Sequence, residues 1–231
     1  MKKLLSILVF VYLFSLNAYA ETYLTPWNFQ ITTSSKVIYA GHVNINEVKD
    51  KLIKQNIVKK NILNKFIKNL NDKKIIYIFS EEGGRNIINA NTQNAPSMPS
   101  FKDSEVLKTC SDLKKSYIKM TKLKLVQTDC ILEFFNNKVN SKKFSENLSK
   151  NIKSILFYGH EAQEYNRSQL QYFVNYDKSV TTFTLGCTIG DCDVMHDEMI
   201  NVINSIKFNI CKVFEIKIIF LQNNNFIKFN T

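Results

Sequence analysis

Residues 169–187 read QLQYFVNYDKSVTTFTLGC and carry the clearest secondary-structure signal of the chain. Two runs rich in β-branched, aromatic and other apolar residues, 170–174 and 180–185, flank a short polar segment. Such runs are typical of β-strands, and polar residues between them are typical of a turn. The stretch therefore predicts a β-hairpin whose turn is supplied by Asn175, Asp177, Lys178 and Ser179.

Outward from this hairpin, the chain alternates between strand and helix patterns. The alternation of apolar and polar residues over 27–31 predicts a half-buried strand. Short apolar runs predict further strands at 36–40, 75–79, 86–91, 123–126, 130–135 and 155–159. Apolar residues at helical spacing predict helices over 47–70, 104–120 and 194–208. The polar segment 136–150 fits either a loop or a short helix.

Strand hairpins combined with three long helices indicate an α+β fold, in which helices pack on the faces of an antiparallel sheet. We expect one globular domain over residues 21–209. The segment 210–231 differs in composition, being a mixture of Lys, Ile, Phe and Asn. It fits an accessory tail, an extra strand over 214–221, or translation past a natural stop, and the sequence leaves these alternatives open.

The first twenty residues have the three-part pattern of a secretory signal. Lys2 and Lys3 precede an apolar run over 4–16, and Ala18 and Ala20 stand at the −3 and −1 positions before Glu21. The apolar run is shorter than the roughly 20 residues of a membrane-spanning helix. We therefore expect cleavage after Ala20 and a periplasmic or secreted product that does not span the membrane.

The chain is basic, with 31 Lys and Arg against 20 Asp and Glu. Only Arg85 and Arg167 are arginine, the residue that favours bidentate phosphate contacts. Its aromatic residues lie in strand-like runs rather than among the lysines, so nucleic acid is not an expected partner. The abundance of Lys, Asn and Ile is typical of an AT-rich genome. The basic net charge is therefore expected to give a weak, salt-sensitive attraction to anionic surfaces such as an envelope.

All of the cysteines follow the signal segment, and in an oxidising compartment an even subset of them should pair. The most local pairing joins Cys110 to Cys130 and Cys187 to Cys192, and leaves Cys211 over. By loop entropy these closures are worth about 3 and about 2 kcal/mol respectively. Five unpaired thiols are the alternative.

The region from Cys187 to Glu198 is the densest group of potential metal ligands. Zinc sites favour two Cys or His pairs at short spacing, and a second pair is missing nearby. Carboxylates at the start of a helix also suit the helix dipole without any metal. Thiol catalysis by Cys187 or Cys192 would need His160 or His196 as a base. We expect no catalytic residue, metal or cofactor, and the alternative metal ligands are Asp191, Asp193, His196 and Glu198.

The C-terminal third consists of the hairpin at 169–174 and 180–187 and a helix that closes on INSIKF at 203–208. In these elements the chain resembles the end of the PsbP/DcrB-like superfamily. The segments WNF at 27–29 and NIIN at 86–89 agree with it in order. The resemblance implies an α/β/α sandwich around a central antiparallel sheet, with helices on both faces. It also implies a non-enzymatic role, since PsbP-type proteins support a membrane complex and DcrB-type proteins are small envelope proteins. No catalytic set is implied.

The sequence thus favours an exported, non-enzymatic envelope protein that binds a partner protein or an envelope surface. The alternative is a secreted metal-dependent or thiol enzyme that uses the region from Cys187 to Glu198. The two hypotheses differ in whether that region is a structural staple or a reactive site.

Overall fold

A computed structural model describes residues 20–58, 60–72, 75–81, 86–94, 105–135, 138–139, 142–145 and 148–208. The signal segment up to residue 19, the leftover Cys211 and the tail at 210–231 lie outside the described residues. None of the described helices is long and apolar enough to span a membrane.

The described chain alternates strands with four α-helices. The first half contains β1 (Glu21–Leu24), β2 (Phe29–Thr33), β3 (Val37–Ala40), α1 (Ile45–Lys54), α2 (Lys60–Asn71), β4 (Ile75–Ser80), β5 (Ile87–Asn94) and α3 (Val106–Thr121). The second half contains β6 (Val126–Phe135), β7 (Lys138–Val139), β8 (Ile152–Ala162), a 3-10 turn (Gln163–Tyr165), β9 (Arg167–Tyr176), β10 (Ser179–Thr188), α4 (Asp193–Asn204) and β11 (Lys207–Phe208).

The strands form two antiparallel sheets. The larger sheet has the order β3-β4-β5-β10-β9-β8-β6-β7, and the smaller has the order β1-β2-β11. The predicted hairpin is confirmed as β9 and β10, which pair from Ser179 opposite Tyr176 to Thr188 opposite Arg167. Asp177 in its turn has φ of 48°, a left-handed conformation that Asp tolerates better than most residues.

Helices cover both faces of the larger sheet. On β10, Phe183 and Leu185 point toward α4 and the small sheet, whereas Val180 points toward α3. The helices α1 and α2 cover β3 and β4 on the same side as α3. Alternate side chains of one strand thus supply two cores, as strand geometry requires. The predicted α+β class with an α/β/α sandwich is confirmed.

The helix predicted over 47–70 is wrong in one respect, because it is two helices. The chain leaves α1 at Gln55, and Asn56 adopts φ of 53°. A left-handed Asn is a common helix terminator. The apolar period continues across the break because α1 and α2 pack on the same cluster, which includes Val48, Leu52 and Leu63. The apolar spacing along the sequence therefore gives no signal of the turn between α1 and α2.

Two other boundaries differ from the sequence prediction. The last helix ends at Asn204, and Lys207 and Phe208 pair with β2 as β11 instead of continuing it. The strand predicted over 123–126 is wrong except for its last residue, because β6 begins at Val126 and runs through the strand predicted over 130–135, with register shifts opposite β8. Such bulges disturb the alternation that sequence analysis reads.

Candidate functional site

The region from Cys187 to Glu198 begins with a disulfide. Cys187, fully buried at the end of β10, is bonded to Cys192 directly before α4, with 5.4 Å between the two Cα atoms. Gly190 lies between them with φ of 83°, a conformation that favours glycine. Sulfur atoms in a disulfide are neither thiolate nucleophiles nor thiolate ligands. In this state the pair staples a strand end to a helix start.

The four candidate metal ligands point to different partners. The carbonyl oxygen and Oδ2 of Asp191 accept hydrogen bonds from Asn86 Nδ2 at 2.7 and 3.2 Å. Glu198 is buried, and its Oε1 accepts from the Ser34 backbone N–H at 2.9 Å. Asp193 is exposed at the start of α4. Among the described residues there is no group of three or more His, Cys, Asp or Glu side chains placed to hold a metal.

His196 turns toward the sheet rather than toward these carboxylates. Its Nε2 lies 2.9 Å from the Tyr172 hydroxyl, and its ring stacks on Phe157 at 5.7 Å. The Lys143 ammonium lies 5.2 Å from the centre of the Phe157 ring. The imidazole therefore joins α4 to β8 and β9 through one hydrogen bond and through ring contacts with Phe157 and Tyr172.

The electrostatics around His196 keep both members of its hydrogen bond uncharged. Burial, and then the charge of Lys143, lower the pKa of His196. Burial, and then the charges of Glu133 and Asp197, raise the pKa of Tyr172. A neutral imidazole beside a protonated phenol is a stable structural contact at neutral pH. It lacks the activated nucleophile that covalent catalysis needs.

Sequence analysis missed Glu133, a buried carboxylate beside this contact. It lies in β6 at a register shift and is 1% exposed, and its Oε1 is 3.4 Å from the Lys143 ammonium. A glutamate inside the apolar run ILEFF was the available signal. Buried carboxylates require such a partner, since desolvation of an unpaired charge is costly.

The other face of the sheet carries a separate polar cluster beneath α3. The Tyr117 hydroxyl donates to Gln171 Oε1 at 2.5 Å, and Gln171 Nε2 donates to Thr184 Oγ1 at 3.1 Å. His160 packs against the Tyr117 ring at 4.9 Å, and burial lowers its pKa. Because Cys187 belongs to the opposite face, the structure does not bring His160 to it.

A second disulfide ties α3 to this face. Cys110 in α3 is bonded to Cys130 in β6, with 6.0 Å between the two Cα atoms. Cys110 is the one buried residue of α3. The structure thus forms both pairs that the most local pairing predicts, and here the bond is a main anchor of the helix.

Acidification is expected to destabilise the protein through His160, which is buried, and His196, which is half-buried. Because the folded state holds the pKa of His160 and His196 below the usual value of about 6.5, the unfolded chain binds protons first as pH falls. Stability should therefore be highest above about pH 7 and decline as pH falls through the lowered pKa values. Thermal unfolding between about pH 7.5 and about pH 5 measures this decline.

His196→Gln should flatten the pH dependence because it removes one of the two groups. Tyr172→Phe is the control, because it removes the hydrogen bond to His196 but no histidine. It should lower the melting temperature at every pH and leave most of the slope in place, because burial is the largest cause of the lowered pKa of His196. A His196→Gln profile as steep as the wild type would contradict the assignment.

The helices on the side of α3 form a strongly basic surface, which we name the lysine face. The exposed charged residues of α1, α2 and α3 are nine lysines and three acids, whereas those of α4 on the opposite face are two acids, with no lysine or arginine. In α3, the lysines at 108, 115 and 119 lie on one stripe opposite the inward stripe of Val106, Cys110, Leu113 and Tyr117. The lysine face consists of Lys49, Lys51, Lys54, Lys65, Lys68, Lys108, Lys114, Lys115 and Lys119.

Comparison with known proteins finds similarity of fold rather than of sequence. No protein-family model matches the chain, and no curated protein is similar to it in sequence. The solution structure of cyanobacterial PsbP (CyanoP) from Synechocystis sp. PCC 6803 matches 83% of this chain and 94% of its own, with 8% identity and a TM-score of 0.47. At 8% identity this match is a likeness of fold and shows no family.

Proposed function

We propose that the chain is an exported, non-enzymatic protein that binds an anionic envelope surface through the lysine face. Export is supported by the basic start, apolar run and small residues before Glu21. It is also supported by two disulfides, which persist mainly in oxidising compartments.

The observation that carries the proposal is the separation of charge between the two helical faces. Codon bias raises the number of lysines but does not direct nine of them to one side of a sheet while leaving α4 without any. A Lys or Arg near an anionic lipid surface contributes about 1 kcal/mol of binding. Several lysines acting together therefore give useful affinity without a shaped pocket.

Lysine rather than arginine suits this kind of partner. The ammonium group is a compact and strongly hydrated charge. It lacks the planar, rigid donor geometry with which the arginine guanidinium binds a single phosphate through two hydrogen bonds. The attraction is therefore non-directional, and salt weakens it because the Debye length shortens from about 30 Å at 0.01 M to about 8 Å at 0.15 M.

Replacing the outward stripe of α3 is expected to weaken binding to anionic vesicles by about 100-fold. The triple variant Lys108→Gln, Lys115→Gln and Lys119→Gln removes three surface charges of about 1 kcal/mol each. The measurement is co-flotation with phosphatidylglycerol vesicles at low salt, with phosphatidylcholine vesicles as the neutral comparison.

The matched control removes the same net charge elsewhere. Lys150, Lys178 and Lys207 are exposed and lie outside the lysine face. Their joint replacement by Gln should change binding less than threefold. Equal losses of vesicle binding in the two triple variants would contradict binding through the lysine face. Binding that salt does not weaken would contradict it as well. So would binding to a protein partner with no vesicle binding.

The alternative of a secreted metal-dependent or thiol enzyme receives no specific support. It would require the region from Cys187 to Glu198 to present a reactive group. Both sulfur atoms are engaged in the disulfide. Asp191 accepts a hydrogen bond from the Asn86 side chain, and Glu198 accepts one from the Ser34 backbone N–H. We therefore read this region as the staple that orients α4.

A further inference from the structure

The helix α3 packs on the sheet with most of its surface facing outward. Cys110 is its one buried residue, whereas α4 on the opposite face has six. The other inward contacts of α3 come from the partly buried side chains of Val106, Leu113 and Tyr117. A large part of the surface of α3 is therefore accessible to a partner.

Apolar side chains are exposed on α3 among its lysines. Leu107 is 85% exposed, Met120 is 71% exposed and Ile118 is 40% exposed. The described side chains of α1 and α2, which form the rest of the lysine face, include no exposed large apolar residue. Single exposed apolar residues are common on protein surfaces, but three on one 16-residue helix rimmed by charge are typical of a contact surface.

Helical spacing sets these residues beside the lysine stripe of α3. Leu107 and Ile118 are separated by three helical turns, or about 17 Å, so they lie on one line along the helix. The stripe of Lys108, Lys115 and Lys119 runs parallel to this line, about a quarter of a turn around the helix. Ammonium groups and apolar side chains of α3 therefore meet the same external surface.

A phospholipid bilayer matches this combination of contacts. An anionic polymer offers charge without an apolar phase, and the pocket of a partner protein gathers apolar contacts at one place rather than along the length of a helix. A bilayer offers anionic headgroups and acyl chains at every point of an extended surface. Because lysine stems are long and apolar, the ammonium groups can stay among the phosphates while Leu107 reaches the acyl boundary.

We propose that α3 lies in the interface of an anionic phospholipid bilayer, with Leu107, Ile118 and Met120 in contact with acyl chains. This inference rests on the proposed function, because it names the surface to which the lysine face binds. It adds that apolar burial contributes to the affinity together with charge. Salt therefore weakens the attachment without abolishing it, because screening acts on the charges and leaves apolar burial in place.

Serine substitutions that leave the net charge unchanged test the apolar contribution. The double variant Leu107→Ser and Met120→Ser should weaken binding of the mature protein to phosphatidylglycerol vesicles about tenfold at about 0.15 M salt. Val194→Ser is the control and should leave binding unchanged, because Val194 is 77% exposed at the start of α4 on the opposite face. Since the replaced side chains are exposed, we expect unchanged melting temperatures. At the same salt concentration, dextran sulfate should bind at least tenfold more weakly than the vesicles.

Fluorescence locates the apolar contact. Trp27 is the one tryptophan of the chain, so Trp27→Phe provides a background without tryptophan. In this background, the emission of Leu107→Trp should shift to the blue on vesicle binding and should be quenched by lipids with brominated acyl chains. Val194→Trp in the same background should show neither change.

Three results would overturn the proposal. Wild-type vesicle binding by the double serine variant, or equal affinity for dextran sulfate, would show a contact made by charge alone. Either of these results would leave the proposed function standing, provided that the triple lysine variant of α3 still loses binding. Quenching of Val194→Trp in place of Leu107→Trp would put the bilayer on the face of α4 and would contradict the proposed function as well.

Discussion

Replacing Cys110 and Cys130 together by alanine is expected to lower the free energy of unfolding by about 3 kcal/mol. The bond spans a sequence separation of 20, so its loss restores much freedom to the unfolded chain. Without the bond, α3 is held on the sheet by the partly buried side chains of Val106, Leu113 and Tyr117, and these contacts do not offset the lost stabilisation. Urea unfolding followed by circular dichroism measures the change.

The second disulfide provides the comparison. Cys187 and Cys192 are separated by five positions, and their joint replacement by alanine should cost about 2 kcal/mol. Intact mass of the exported protein, with and without alkylation, shows whether both bonds form and whether the chain begins at Glu21. Alkylation of every cysteine without reductant would contradict both the bonds and the expected compartment.

Phe183→Ala is expected to lower the free energy of unfolding by about 4 kcal/mol. Phe183 is fully buried near the middle of β10, where its side chain fills the core between the sheet, α4 and the small sheet. A cavity at this depth is bordered by rigid elements, and little collapse can refill it. Chemical denaturation gives the value, and an unchanged m-value verifies that the same surface unfolds.

Phe173→Ala is the matched substitution on the other face. Phe173 is 9% exposed and belongs to the smaller cluster beneath α3. We expect a loss of about 2 kcal/mol, because neighbouring side chains and water can relax into a shallower site. A loss as large as that of Phe183→Ala would contradict the shallower burial of the cluster beneath α3.

Local patterns predicted much of the fold. The hairpin of β9 and β10 has two runs of strand-forming residues and a polar turn, so neighbouring residues determine it. The pairings of Cys110 with Cys130 and of Cys187 with Cys192 follow from proximity along the chain. The α/β/α arrangement came from the resemblance to a family, since periodicity alone does not state which face a helix covers.

What sequence analysis missed depends on contacts between distant segments. The break at Asn56 is hidden because α1 and α2 cover one apolar cluster, and the apolar period therefore continues. Glu133 is buried because a bulge in β6 directs it toward Lys143. Neither the helix break at Asn56 nor the bulge at Glu133 has a signal in the local apolar pattern, because tertiary packing decides both.

The candidate surfaces were also beyond sequence analysis. The lysines were visible, but their collection on one face depends on α1, α2 and α3 lying on the same side of the sheet.

Hydrogen–deuterium exchange of the oxidised protein, with and without phosphatidylglycerol vesicles, tests the central claim most directly. Slower exchange is expected in α1, α2 and α3, with the largest change along α3, and none in α4. Protection confined to α4 and the small sheet, or exchange that vesicles leave unchanged at low salt, would contradict binding through the lysine face.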